Sequence, residues 1–243
     1  MTRHIVKSFS EELAGLTSQV ARMGGLAEAM TADALEAVTR RDTDLAHRVI
    51  ARDTDVDALQ TDLERRVIRL IALRQPLAAD LRQTIAALKI SADLERVGDL
   101  AKNIAKRTLV INEAEPIFLT GGIERMGRLV ITQLEDVLDA YLTAKIDRAV
   151  DAWRRDEDVD AHHNSLFREL LTYMMEDPRM IGPSAHLLFV AKNLERIGDH
   201  ATNIAEIVHF WITGDDLAPD RPKQGDRLAG SGPVTALPSN PDE

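Results

Sequence analysis

Residues 93–105 read DLERVGDLAKNIA, and residues 193–205 read NLERIGDHATNIA. Nine of the thirteen positions are identical at an offset of 100. Upstream of each copy a second match appears: RDTDVDA at 52–58 returns as RDEDVDA at 155–161, at an offset of 103. Two matched stretches in the same order and at nearly the same offset indicate a repeated supersecondary unit rather than a short recurring motif.

The punctuation around these stretches tells what the unit is. Between residues 8 and 213 the prolines are Pro76, Pro116, Pro178 and Pro183, and each falls where a helical pattern should stop. Gly121-Gly122 marks a further break. The segments between are rich in Ala, Leu, Arg and Glu, which favour helix, and no alternating β-pattern of useful length occurs. Six helices are predicted, over 8–40, 43–75, 77–113, 121–144, 146–176 and 184–212. The second and third recur as the fifth and sixth, and the first and fourth complete the units by inference. The expected fold is therefore all-α: two tandem three-helix bundles, 1–115 and 116–213, related by a pseudo-twofold. The tail 214–243 is dense in Gly, Pro and charge and is expected to be disordered.

Composition narrows the chemistry. With no cysteine in the chain, disulfides, thiolate zinc sites and iron–sulfur clusters are impossible, so any metal must be held by oxygen or imidazole. A formal charge of -10 argues against nucleic acid as a partner, because phosphate binding needs a basic surface. The N-terminal MTRHIVKSFSEEL lacks the apolar core of a signal peptide, and no stretch reaches the roughly 18 apolar residues of a membrane span. A cytoplasmic protein is expected, peripheral to the membrane only through partners.

The repeated stretch carries acids at helical spacing. On the third segment Leu81, Ile85, Leu88, Ala92, Glu95 and Asp99 fall within an arc of about 80°. A second stripe, Ile90, Leu94, Val97, Ala101 and Ile104, lies on another side. The sixth segment repeats both, with Glu195 and Asp199 in the acidic stripe. On the second segment Asp53 and Asp57 share a face with Ala46 and Ile50, and Asp156 and Asp160 hold the matching places on the fifth. Folding the second segment against the third as an antiparallel hairpin about Pro76 brings Asp57 level with Glu95 and Asp53 level with Asp99. The other hairpin, turning beside Pro178, levels Asp160 with Glu195 and Asp156 with Asp199.

Four carboxylates in a partly desolvated groove repel one another, and a multivalent cation removes the problem. Oxygen-only donors suit Mg, Ca, Mn or Fe. Asn103 and Asn203, one turn beyond Asp99 and Asp199, are candidates to add amide oxygens, and Arg96 and Arg196 to clamp the carboxylates from behind. The competing structural reading has the acids neutralised by Arg52 or Arg96 with no metal. Gly98 and Gly198 are expected to permit close helix approach. Asp160 and His163 form a DxxH spacing, but its first-unit counterpart ends in Gln60, so the histidine is read as surface or core. A carboxylate-bridged di-metal enzyme is the alternative function; such bundles normally carry Glu-x-x-His on two helices, which these motif helices lack.

A doubled three-helix unit with ERxGDxAxNIA near each end resembles the PhoU family, the phosphate-transport regulatory proteins of bacteria, over about residues 5–213. The resemblance implies two three-helix bundles that bind metal ions or clusters through E/DxxxD motifs. Carried onto this sequence, these fall on Asp53 and Asp57, Glu95 and Asp99, Asp156 and Asp160, and Glu195 and Asp199. It also implies a homodimeric regulator and not an enzyme. Such a protein links the ATPase of a phosphate ABC transporter to a phosphate-sensing histidine kinase, and restrains uptake and the starvation response. The upstream acids here are Asp at all four positions, which shortens the ligand reach and leaves the metal open.

Overall fold

A computed structural model of the chain describes residues 2–113 and 120–217; the tail expectation beyond 217 falls outside the described residues. Six long helical segments are present, the fifth in two pieces: α1 (Thr2–Arg40), α2 (Thr43–Arg74), α3 (Ala78–Asn112), α4 (Thr120–Thr143), α5 (Ile146–Arg154), α6 (Asp156–Glu176) and α7 (Ile181–Thr213). No strand occurs among the described residues.

The stops follow the sequence chemistry. Asp42 caps α2, its Oδ1 accepting from the Leu45 N–H at 2.8 Å. At its other end α2 turns left-handed at Gln75 ahead of Pro76. Pro178 opens a short 3₁₀ turn, Pro178–Met180, that leads into α7. Pro183 sits inside the first turn of α7, where its missing N–H costs nothing, so α7 begins at 181 and not at the predicted 184. Gly214, at φ 85°, ends it, donating its N–H to Phe210 O at 2.8 Å.

The predicted fifth helix breaks at Arg155, whose ψ of -9° tightens one turn so that the Asp158 N–H reaches the Arg155 carbonyl at 3.0 Å.

The inferred kinship of α1 and α4 has direct structural marks. Arg41 and Ala144, 103 apart, are both left-handed, at φ 57° and 51°. The next amide closes the same turn in each: Asp42 N to Ala37 O at 2.9 Å, and Lys145 N to Ala140 O at 3.1 Å. Arg52 pairs with Asp33 at 2.5 Å, and at the same offset Arg155 pairs with Asp136.

The two three-helix units meet through α1 against α4 and α3 against α7, over one continuous apolar core. In the α1–α4 contact Gly24 lies under Leu138 and Gly127 under Leu35, a reciprocal pair. A Cβ on either glycine would fall 2.6 or 2.5 Å from a leucine methyl, so the absence of a side chain sets this close approach. The α3–α7 seam is antiparallel along its length. Arg82 Nε donates to Trp211 O at 3.2 Å at one end, His200 meets Asp93 at 2.8 Å midway, and Arg107 stacks on Phe189 at 4.4 Å at the other end. The turns α2–α3 and α6–α7 therefore lie at opposite ends of the molecule.

Candidate metal centre

The stripes predicted on α3 and α7 divide unequally between core and groove. Ile90, Leu94, Val97, Ala101 and Ile104 are fully buried, as are Val190, Leu194, Ile197, Ala201 and Ile204. The stripe that carries the acids is only half-buried: Ile85, Leu88, Glu95 and Asp99 keep an edge in water, and Ala92 is exposed. Both acidic stripes therefore border the core, where carboxylates retain hydration that a dry core would deny them.

In the first unit α2 and α3 bring Asp53, Asp57, Glu95 and Asp99 together, as the hairpin levels require. Asp53 is buried (7% exposed), while Asp57 is exposed. Burial first, and then the neighbouring Asp53, raise the Asp57 carboxyl above the usual range; burial also raises Glu95, with Asp99, Asp57 and Asp53 adding to it and Arg96 opposing. At the centre stands a residue the sequence reading passed over. Lys102 Nζ lies 2.5 Å from Asp53 Oδ2 and 2.6 Å from Asp99 Oδ1. Burial pulls the ammonium down, but the hydrogen bonds to the two aspartates outweigh it and hold Lys102 above its ordinary value. Arg96 reaches Glu95 at 3.3 Å and Asp99 at 3.4 Å. Arg52 does not join them, being held by Asp33.

The second unit gathers Asp156, Asp160, Glu195 and Asp199 with a different counter-charge. Thr202 replaces Lys102, and its hydroxyl accepts from Gln133 Nε2 at 3.1 Å. The cation here is Lys192, on the rim. Its Nζ hydrogen-bonds Glu195 Oε1 at 2.7 Å and lies 2.6 Å from Oε2 without hydrogen-bond alignment. Arg196 makes no ion pair among the described residues, unlike Arg96. Asp156 is 3% exposed. Although Asp199 is exposed, partial desolvation in the groove pushes its carboxyl up to about 6, helped by Glu195, Asp156 and Asp160, with Lys192 opposing. Half-buried His163 stands beside this cluster, lowered by burial against the pull of Glu195. The signal for it was its replacement of Gln60; His162 instead turns to its own backbone, with Nδ1 at 2.8 Å from Asp158 O.

Two expectations change. Asn203 does not face the acids: its amide donates to Asp93 of α3 at 3.4 Å, beside His200. Asn103 is exposed. Gly98 is not forced by close approach, since a Cβ there would meet Val56 at an ordinary 3.5 Å. At Gly198 the fit is tighter, with Gln133 Oε1 at 3.3 Å and Asp156 Oδ1 at 3.5 Å.

A hard cation suits these donors, which are carboxylate oxygens with one imidazole nearby. The side chains as they stand do not converge on one: among the described residues no group of three or more acids and imidazoles has the mutual geometry to hold an ion. In the first unit the Lys102 ammonium bridges two of the four acids. In the second, Lys192 pairs with Glu195 on the rim.

Comparison with known proteins agrees with the duplicated architecture: the PhoU domain is matched twice, over residues 20–108 and 123–208. The chain belongs to the PhoU family. A phosphate-specific transport system accessory protein PhoU homolog of Caulobacter vibrioides is 62% identical over 92% of this chain and 97% of its own length. PhoU of Escherichia coli K12, with the same accessory-protein name, is 39% identical over 89% and 90%. The crystal structure of PhoU from Pseudomonas aeruginosa superposes with a TM-score of 0.83 at 36% identity, over 85% of this chain and all of that one. These PhoU relatives are named as transport accessory proteins, not as enzymes, which removes the ground for a di-metal enzyme.

Proposed function

We propose that this chain is a cytoplasmic regulatory accessory of phosphate transport whose two acidic clusters take up divalent or trivalent cations. On this reading it acts as a homodimer, restraining a phosphate ABC transporter through its ATPase and restraining starvation signalling through a histidine kinase. PhoU membership supports the phosphate role. The observation that carries the metal reading is the second cluster. There Asp156, Asp160, Glu195 and Asp199 are drawn together, and Asp199 is driven up to about 6 by burial first and then by its acidic neighbours. Such a group is costly with no cation and favourable with one.

The test has two arms. Elemental analysis of gently purified protein is expected to find Mg, Mn or Fe, and to find less of it in Glu195→Ala/Asp199→Ala. In cells, alanine at Glu95, Asp99, Glu195 and Asp199 together is expected to release phosphate-starvation genes when phosphate is plentiful. Normal phosphate control in that variant would reject the regulatory role of the clusters. Metal-free protein that no divalent ion stabilises would reject the metal.

A further inference from the structure

The turn between α2 and α3 is built unlike the rest of the surface. Ile68 and Leu73 are each 67% exposed and Leu77 is 79% exposed, on the last turns of α2 and the loop that follows. Arg65, Arg66 and Arg69 stand exposed on the same stretch. Arg66 also bonds Asp62 at 2.8 Å, while Arg65 and Arg69 make no ion pair among the described residues. A chain of net charge -10 thus places three exposed arginines and three large exposed aliphatic side chains at one end, with Asp80 the exposed acid nearest Leu77. Leaving three large aliphatics in water is unfavourable unless something covers them.

We propose that this turn docks directly on an anionic lipid surface. The feature is the end of a two-helix hairpin with α1 alongside, Glu12 pairing with Arg74 at 2.6 Å. Its layering suits a bilayer interface. Leu73 lies four residues beyond Arg69 and seven beyond Arg66, which places the arginines about 6 and 10 Å back along the helix axis. Aliphatic groups seated roughly 5–10 Å into the interface would leave those guanidiniums level with lipid phosphates. No helix of the described residues is long and apolar enough to cross a membrane, so this contact is peripheral.

The repeat supplies an internal control. At the opposite end Leu171 matches Ile68 and is also exposed, and Arg168 matches Arg65. Glu169 and Thr172, however, stand where Arg66 and Arg69 do. That end keeps apolar exposure, with Met175 85% exposed, but has lost two of the three matched positive charges. Over these matched positions the α2–α3 end carries three arginines and the other end one, so the first is the better complement to anionic lipid. The docking does not depend on metal in either cluster.

The experiment is vesicle sedimentation of the full chain. Binding is expected to phosphatidylcholine vesicles containing phosphatidylglycerol and not to phosphatidylcholine alone. Each of Arg65→Glu and Arg69→Glu should weaken it about fivefold or more. Leu77→Asp should abolish it, and Met175→Asp should leave it unchanged. A melting temperature equal to that of the parent shows that each variant is folded. As a second readout, tryptophan emission from Leu73→Trp should shift to the blue on anionic vesicles. No sedimentation of the parent protein, unchanged binding by Leu77→Asp, or loss of binding in Met175→Asp would each overturn the proposal. So would tight capture by a purified protein partner through this turn without any lipid binding.

Discussion

Replacing Lys102 by methionine separates what the first acidic cluster needs for folding from what it can bind. Lys102→Met keeps most of the aliphatic stem and removes the ammonium that sits 2.5 Å from Asp53 and 2.6 Å from Asp99. Exposed ion pairs are worth about 0.2–1 kcal/mol, and breaking a fully buried one costs roughly 3–5 kcal/mol. With Lys102 20% and Asp53 10% exposed at the side chain, this bridge lies between, at about 2–3 kcal/mol. For a chain of this size that corresponds to a drop of about 5–10 °C in Tm. The same change leaves Asp53, Asp57, Glu95 and Asp99 opposed only by the exposed Arg96, which is a better cation site than before. A divalent ion at about 100 times its Kd returns roughly 2.7 kcal/mol, enough to recover the loss. The assay is calorimetric melting of both proteins in chelator and in excess Mn²⁺ or Mg²⁺. Lys102→Met should melt lower in chelator and gain more from metal than the parent does. A variant melting within about 1 °C of the parent in chelator would refute the structural weight given to the bridge. A lower melt that metal fails to restore would show that the first cluster takes no cation.

Three further outcomes follow from local geometry. Gly98→Ala should stabilise by about 1 kcal/mol in urea unfolding, because a methyl there meets Val56 at 3.5 Å, whereas Gly198→Ala should gain less or lose, being pressed against Gln133. Ala144→Gly should stabilise by about 0.5 kcal/mol, as relief of a left-handed residue at φ 51° exceeds the entropy cost of glycine; a loss in urea unfolding would contradict this. Glu28 is raised above its ordinary value by burial first, then by Glu135 and Asp139. Its charge therefore costs stability at neutral pH, and that cost disappears as pH falls through the usual glutamate range. Glu28→Gln should raise Tm near neutral pH and bring no gain at about pH 4.

Much of this was legible in the residues because the repeat doubled every signal. Pro76 and Pro178 located the hairpins, and antiparallel pairing then levelled Asp53 with Asp99 and Asp156 with Asp199 without any coordinates. What escaped was decided by side-chain reach and tertiary choice. Lys102 follows Asp99 by three residues, an ordinary helical neighbour, and only the approach of α2 makes it a bridge to Asp53. Asn203 lies one turn past Asp199, yet the α3–α7 seam turns its amide to Asp93. The break at Arg155 is a change of a few tens of degrees in one ψ, for which neither proline nor glycine gives notice. The left-handed Arg41 and Ala144 were hidden for the same reason, since neither is the glycine that usually marks such a turn.

The antiparallel seam of α3 and α7 has a geometric consequence. Each of these helices is about 50 Å long, and the turn that precedes each one sits at the far end from the other. A single flat surface cannot receive both. The molecule is in effect a strut with unlike ends, one carrying three arginines over the matched positions and the other one. A copy that stands on a charged sheet by its basic end holds the other end a full helix length away, and neighbouring copies on that sheet all stand the same way up.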